Sequence, residues 1–174
     1  NYAQKILAKM YIYGDGVHED LNQTFYWYQE AAKQDDAEAQ FELGNMYVTG
    51  GYKKKDFDKA FFWLQESASQ GNADAEHGLG VMYALGEGRP QDFKKALNWY
   101  QKATKQGHKI AEYALGEMYY YGEGVVKDLN ISTSWHRKSA AQGFSNAQVS
   151  LGFLYEYGEG AKQDYKKAFS WYQK

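Results

Sequence analysis

The chain carries five tryptophans, and each stands 36 residues after the one before: Trp27, Trp63, Trp99, Trp135 and Trp171. Three further columns keep the same step. They are Leu7, Leu43, Leu79, Leu115 and Leu151; Tyr11, Tyr47, Tyr83, Tyr119 and Tyr155; and Asp20, Asp56, Asp92, Asp128 and Asp164. A fixed period of this length marks a repeat array, in which each unit buries its apolar face by stacking on its neighbours. The 174 residues then divide into units of about 1–36, 37–72, 73–108, 109–144 and 145–174 of one array. The first unit opens inside a helix and the fifth stops at Lys174, so the array is expected to be cut at both ends.

Each unit reads as two helices. In the third, Ala75, Leu79, Met82 and Tyr83 share one helical stripe, and Phe93, Ala96, Trp99, Tyr100 and Ala103 share a second. We name these helix A and helix B. Small residues recur where two helices must approach to within about 8–10 Å: Gly44, Gly80, Gly116 and Gly152 on helix A, and Ala60, Ala96 and Ala168 on helix B. The tryptophans lie on the apolar side of helix B and are expected to be core side chains, as are the periodic tyrosines of helix A.

Between the two helices stands a glycine pair, "YGDG" at 13, "LGEG" at 85, "YGEG" at 121 and "YGEG" at 157. One such loop could cradle a phosphate. A glycine pair repeated in nearly every unit is a connector instead: the first glycine ends helix A in a left-handed conformation, and the aspartate four residues beyond the second caps helix B. The connectors are placed near 14–19, 50–55, 86–91, 122–127 and 158–163. The second, "TGGYKKKD", departs from the pattern with Tyr52 in the second glycine position, and its lysine run reads as a solvated loop.

Composition narrows the function classes. A formal charge of −2 argues against a nucleic-acid binder held by a broad basic face. There is no cysteine, hence no disulfide, thiolate metal site or cysteine nucleophile. No apolar run approaches the roughly 18 residues of a membrane span. His18, His77, His108 and His136 show no i, i+4 pair of a helical metal site. No metal or cofactor is expected.

The pattern A-x-x-x-L-G-x-x-Y, then G-x-G, then D-x-x-x-A-x-x-W-Y, resembles the Sel-one-like repeat (SLR) family, a relative of the tetratricopeptide repeats. The resemblance covers the whole chain. It departs at Ala8, where other units have glycine, at Thr24 and Ser132, where others have alanine, and at Tyr52. Unlike the cysteine-bridged members, this chain has no disulfide between its helices. The resemblance implies an all-α, right-handed α/α superhelical solenoid of five helix-turn-helix units. It also implies scaffold or adaptor work, often in bacteria, with a leaning towards the periplasm or export. Some members are linked to cell-wall or β-lactam chemistry, but no serine here has a lysine three residues on, as the penicillin-binding signature requires. No set of nucleophile, base and oxyanion donors can be named, so catalysis is not expected.

In tetratricopeptide-like arrays helix A lines the concave side. Helix-A residues outside the core stripe therefore form the candidate ligand-binding set: Phe41, Asn45, His77, Val81, Tyr113, Glu117, Tyr120, Tyr121 and Phe153. Exposed aromatics are enriched in protein interfaces. Charge on this face shifts from Lys5 and Lys9 at the start to Glu117 and Glu156 near the end, which could direct a bound segment. The expected function is recognition of a protein or peptide. The alternative is an accessory of bacterial cell-wall or envelope machinery that binds glycan or peptide fragments.

Overall fold

The computed structural model describes residues 2–50 and 54–174. Among them run ten helices and no strand: α1 (Tyr2–Tyr13), α2 (Leu21–Ala32), α3 (Ala37–Thr49), α4 (Phe57–Ser69), α5 (Ala73–Leu85), α6 (Phe93–Lys105), α7 (Lys109–Tyr121), α8 (Leu129–Ala141), α9 (Ser145–Tyr157) and α10 (Tyr165–Tyr172). Odd numbers are the helices A and even numbers the helices B. The all-helical, five-unit architecture read from the period is the one observed. Tyr52 and Lys53 of the second connector lie outside the described residues.

The helices end where the sequence punctuates them. Gly50, Gly86, Gly122 and Gly158 are left-handed, with φ between 69° and 79°, and close the odd-numbered helices. Asp20, Asp56, Asp92, Asp128 and Asp164 cap the even-numbered ones, each carboxylate accepting backbone N–H groups at 2.8–3.1 Å. A second bond locks the connector: the Asp128 N–H donates to the Tyr119 carbonyl at 2.9 Å, and the Asp164 N–H to that of Tyr155 at 2.8 Å. The second glycine is needed for close approach. A Cβ at Gly124 would stand 2.7 Å from Phe93 Cβ and 2.8 Å from its carbonyl carbon. The start of a preceding helix B thus fills the space a phosphate would need.

The chain forms two compact units, Asn1–Gln91 with α1 to α5 and Asp92–Lys174 with α6 to α10. Within each, consecutive helices pack against one another. The first unit is centred on buried Phe25, Tyr28, Leu43, Phe61, Leu64, Leu79 and Met82. The second holds a core of Ala140, Ala147, Leu151, Leu154, Tyr155 and Ala168.

The expectation of core tryptophans is met only in part. The tryptophans are only partly buried, and the residue after each of Trp27, Trp63, Trp99 and Trp135 is the fully packed one: Tyr28, Leu64, Tyr100 and His136. The reason is the glycine column of helix A. A Cβ at Gly44 would stand 2.9 Å from Leu64 Cγ, and one at Gly116 would stand 2.6 Å from His136 Cε1. These glycines leave room for the side chain that follows the tryptophan. The indole is turned about 100° round the helix from that neighbour. In the second unit lysines cover the partly exposed rings: Lys102 Nζ lies 3.8 Å from the Trp99 ring, Lys138 Nζ 4.1 Å from Trp135 and Lys174 Nζ 3.7 Å from Trp171.

Side-chain amides tie helix A to the end of helix B within a repeat. Gln70 Nε2 donates to Gln40 Oε1 at 2.8 Å, and Gln142 Nε2 to Glu112 Oε2 at 2.8 Å. Gln40 also donates to the Ala32 carbonyl of the preceding repeat at 3.3 Å. Each buried polar group in this ladder has a hydrogen-bonding partner, which is the condition for burying it at low cost.

Candidate functional site

In the second unit a pocket of about 270 Å³ opens between α7 and α9, with α8 beneath it. Helix α7 supplies Glu117, Tyr120 and Tyr121, which share one face at i, i+3 and i+4. Helix α9 supplies Val149, Ser150, Phe153 and Leu154, and α8 supplies His136. The expected residues Glu117, Tyr120, Tyr121 and Phe153 are thus brought together at one place. Tyr121 and Phe153 are the exposed aromatics of the group, at 62% and 40% exposure. Tyr120 and Tyr113 also pack against the core, so they serve the fold as well as the surface. Tyr113 stacks edge-on against Phe144, 5.2 Å between ring centres, and lies 5.3 Å from the His136 ring.

His136 is the residue that sequence reasoning passed over. It occupies the core column of Tyr28, Leu64, Tyr100 and Tyr172, 20 residues after a helix-A glycine. At 1% exposure it is buried, with Nε2 3.2 Å from Glu117 Oε1 and no hydrogen-bonding partner for Nδ1. A Cβ at Gly116 would stand 2.7 Å from that Nδ1, so this nitrogen faces the α7 backbone. One ring nitrogen faces backbone and the other is held by a carboxylate, so neither is offered to a substrate. The pair positions a carboxylate at the pocket.

Two further carboxylates, Glu156 and Glu159, stand outside the pocket lining and are held by phenols. The Tyr120 hydroxyl donates to Glu159 Oε2 at 2.8 Å, and the Tyr172 hydroxyl to Glu156 Oε2 at 2.8 Å. The Glu159 acceptor, with some burial, pushes the Tyr120 phenol up to about 12. Burial and then the Glu156 acceptor push Tyr172 up to about 12. Burial raises Tyr113 as well, reinforced by Glu117 and opposed by a hydrogen bond with Ser150. Lys127 approaches from the connector, its Nζ 5.1 Å from the Tyr120 ring centre.

The four expected residues of the first unit lie on two helices, Phe41 and Asn45 on α3 and His77 and Val81 on α5. Asn45 is exposed and the other three are partly buried. The charges expected to begin a gradient here are already engaged. Lys5 Nζ lies 2.8 Å from Glu38 Oε2 and 3.1 Å from Asp36, and Lys9 Nζ lies 2.7 Å from Glu38 Oε1. The Glu38 bond holds both lysines above their ordinary range, and they hold Glu38 below its own. The reason is spacing: Glu38, near the start of α3, comes within reach of two lysines one turn apart on α1. Burial holds Glu42 above the usual carboxylate range.

Among the described residues no cluster of histidine, aspartate or glutamate is arranged to hold a metal, and no helix is long and apolar enough to cross a membrane. The model of the Sel1 repeat family matches five times, at residues 1–36, 37–72, 73–108, 109–144 and 145–174. The chain belongs to the Sel1 repeat family. Solved structures agree with it closely. A Sel1 repeat protein from Oxalobacter formigenes is 35% identical, with a TM-score of 0.94 over 99% of this chain and 70% of its own. The protective antigen c5321 of uropathogenic Escherichia coli, which displays an SLR fold, is also 35% identical, with a TM-score of 0.90. The present chain is covered to 99% in that match but spans only 38% of the antigen. The immunity protein Pa5087 of Pseudomonas aeruginosa is 25% identical, with a TM-score of 0.69 over 99% of this chain and 63% of its own. No curated protein matches. Sel1 repeat proteins generally mediate protein–protein interactions, and the fold is typically non-catalytic.

Proposed function

We propose that α7 and α9, the odd-numbered helices of the second unit of this Sel1 repeat chain, present a recognition surface for a protein or peptide segment, centred on the pocket between them. The observation that carries this reading is the placement of Tyr121 and Phe153. Both are large aromatic side chains left in solvent at a concavity whose buried lining is Leu154 and His136. Aromatic anchors beside a pocket are the usual carriers of binding energy at protein interfaces. The even-numbered helices of the same unit offer a different surface, where lysines already cover the indole rings.

The test uses a peptide selected from a random library on the immobilised protein, with its affinity measured for wild type, Tyr121→Ala, Phe153→Ala and the helix-B control Asn98→Ala. Loss of either aromatic should weaken binding by about 2 kcal/mol, the scale of an interface anchor, while thermal stability changes little. Unchanged affinity in both aromatic variants, with loss in Asn98→Ala, would move the recognition surface to the other face.

A further inference from the structure

We infer that the α7–α9 pocket takes a cationic side chain, arginine or lysine, from the bound segment. This rests on the reading of the odd-numbered face as a peptide-recognition surface and adds the chemistry of one contact. Three independent features of the second unit converge on it. The first is charge. Glu117 lies in the wall, and Glu159 is tethered to the wall residue Tyr120. Glu156 follows Phe153 by one turn of α9. Their partners are the imidazole of His136 and the phenols of Tyr113, Tyr120 and Tyr172, with no lysine or arginine paired to any of the three among the described residues. A carboxylate with no lysine or arginine beside it keeps its capacity to attract a cation.

The second feature is the fold. Glu117, Tyr120 and Tyr121 lie in the last turns of α7, and Phe153 and Glu156 in the last turns of α9. The carboxyl ends of helices carry partial negative charge and favour cations nearby. The third is the aromatic wall. Tyr120 and Tyr121 stand edge to face with ring centres 4.9 Å apart, and Phe153 lies across the pocket from them. Aromatic faces attract guanidinium and ammonium groups. Lys127, 5.1 Å from the Tyr120 ring, shows that one face of that ring already accommodates an ammonium.

The arrangement belongs to the fourth unit alone. In the column of Glu117 the other units have Lys9, Asn45, Val81 and Phe153, and in the column of His136 they have Tyr28, Leu64, Tyr100 and Tyr172. Here a helix-A carboxylate, Glu117, meets a buried imidazole on helix B that fixes its position.

The experiment titrates capped tripeptides into the isotopically labelled chain and follows the backbone amides of α7 and α9 by NMR. The probes are acetyl-Gly-Arg-Gly-amide, its lysine and leucine counterparts, and the citrulline analogue, which keeps the arginine shape without the charge. The expected result is saturable shifts for arginine and lysine, with citrulline and leucine weaker by about tenfold. Glu117→Gln should weaken the arginine probe by a similar factor while leaving the citrulline probe unchanged. Tyr121→Leu, which keeps an apolar rim without the ring face, should weaken arginine and spare leucine. Equal binding of leucine and arginine, or an arginine affinity indifferent to Glu117→Gln, overturns the inference and leaves peptide recognition by this face standing. Absence of any shift at millimolar arginine and lysine probe also overturns it. The affinities of Tyr121→Ala and Phe153→Ala for a selected peptide decide the broader reading separately.

Discussion

Pairing of the helix-A glycine with the residue after each tryptophan predicts a specific energetic coupling between Gly44 and Leu64. Leu64 is 2% exposed, and truncating it to alanine should cost about 3 kcal/mol, within the range of about 2–5 kcal/mol for a buried leucine. Gly44→Ala sets two effects against each other. Alanine gains up to about 1 kcal/mol in helix propensity. Its methyl group would stand 2.9 Å from Leu64 Cγ and 3.1 Å from Cδ2. Such overpacking costs about 1–3 kcal/mol, so a net loss of about 1 kcal/mol is expected. In the Leu64→Ala background both offending atoms are gone and only the Ala60 carbonyl, 3.3 Å away, remains close. There Gly44→Ala should be neutral or stabilise by up to about 1 kcal/mol. The four proteins form a double-mutant cycle, measured by urea unfolding at one temperature with the slope checked for constancy. The expected coupling is about 1–2 kcal/mol, with the double variant more stable than the sum of the singles. A coupling below about 0.5 kcal/mol, the additivity of independent sites, would show that Leu64 does not fill the space over Gly44.

Four further outcomes follow from single residues. Asp35 is left-handed at φ 59°, where the other units have Gly71, Gly107 and Gly143. Asp35→Gly should therefore raise stability by about 0.5 kcal/mol, read as a higher midpoint in a thermal melt. Gly107→Ala, with φ 74° and open space around the added methyl, should cost about 1 kcal/mol from backbone strain alone. Gly124→Ala meets the Phe93 backbone as well and should cost at least about 2 kcal/mol on the same denaturation assay. Glu112 is buried, and burial holds its carboxyl above the ordinary value of 4.5. The folded state then binds a proton more tightly than the unfolded state, so stability falls as pH rises from 4.5 through the raised value. Glu112→Gln keeps an acceptor for Gln142 and removes the titration. Its stability advantage over wild type should widen as pH is raised from 4.5 towards neutrality, and an advantage that narrows instead would contradict the stated cause.

The helix ends were legible because each is fixed by one residue type with one job. The aspartate column caps, and the glycine column turns left-handed, wherever they recur at the 36-residue step. The orientation of helix B was not legible in the same way. Trp99 and Tyr100 are adjacent and both large and apolar, and a helical period tolerates either as the inward residue. The decision is made by a partner 20 residues away, the glycine of helix A. His136 was hidden for the same reason, as a polar residue in a column recognised as core only once Gly116 is seen beneath it. The amide ladder was present as two columns, Gln4, Gln40, Glu76, Glu112 and Gln148 with Gln34, Gln70, Gln106 and Gln142. Polar residues near helix ends read as solvated until their mutual bonds, such as Gln142 to Glu112, are visible. The aromatic and acidic character of the α7–α9 surface was legible in Glu117, Tyr120, Tyr121 and Phe153. Their convergence on one pocket depends on the packing of three helices, which no single helical stripe reveals.

The most direct measurement of the central claim is amide hydrogen exchange of the chain with and without a selected, tightly bound peptide. Recognition by the odd-numbered face predicts added protection in the last turns of α7 and along α9, around Tyr120, Tyr121 and Phe153, with α6 and the exposed side of α8 unchanged. Protection confined to α6 and α8, around Trp99 and Trp135, with none at α7 and α9 would contradict it.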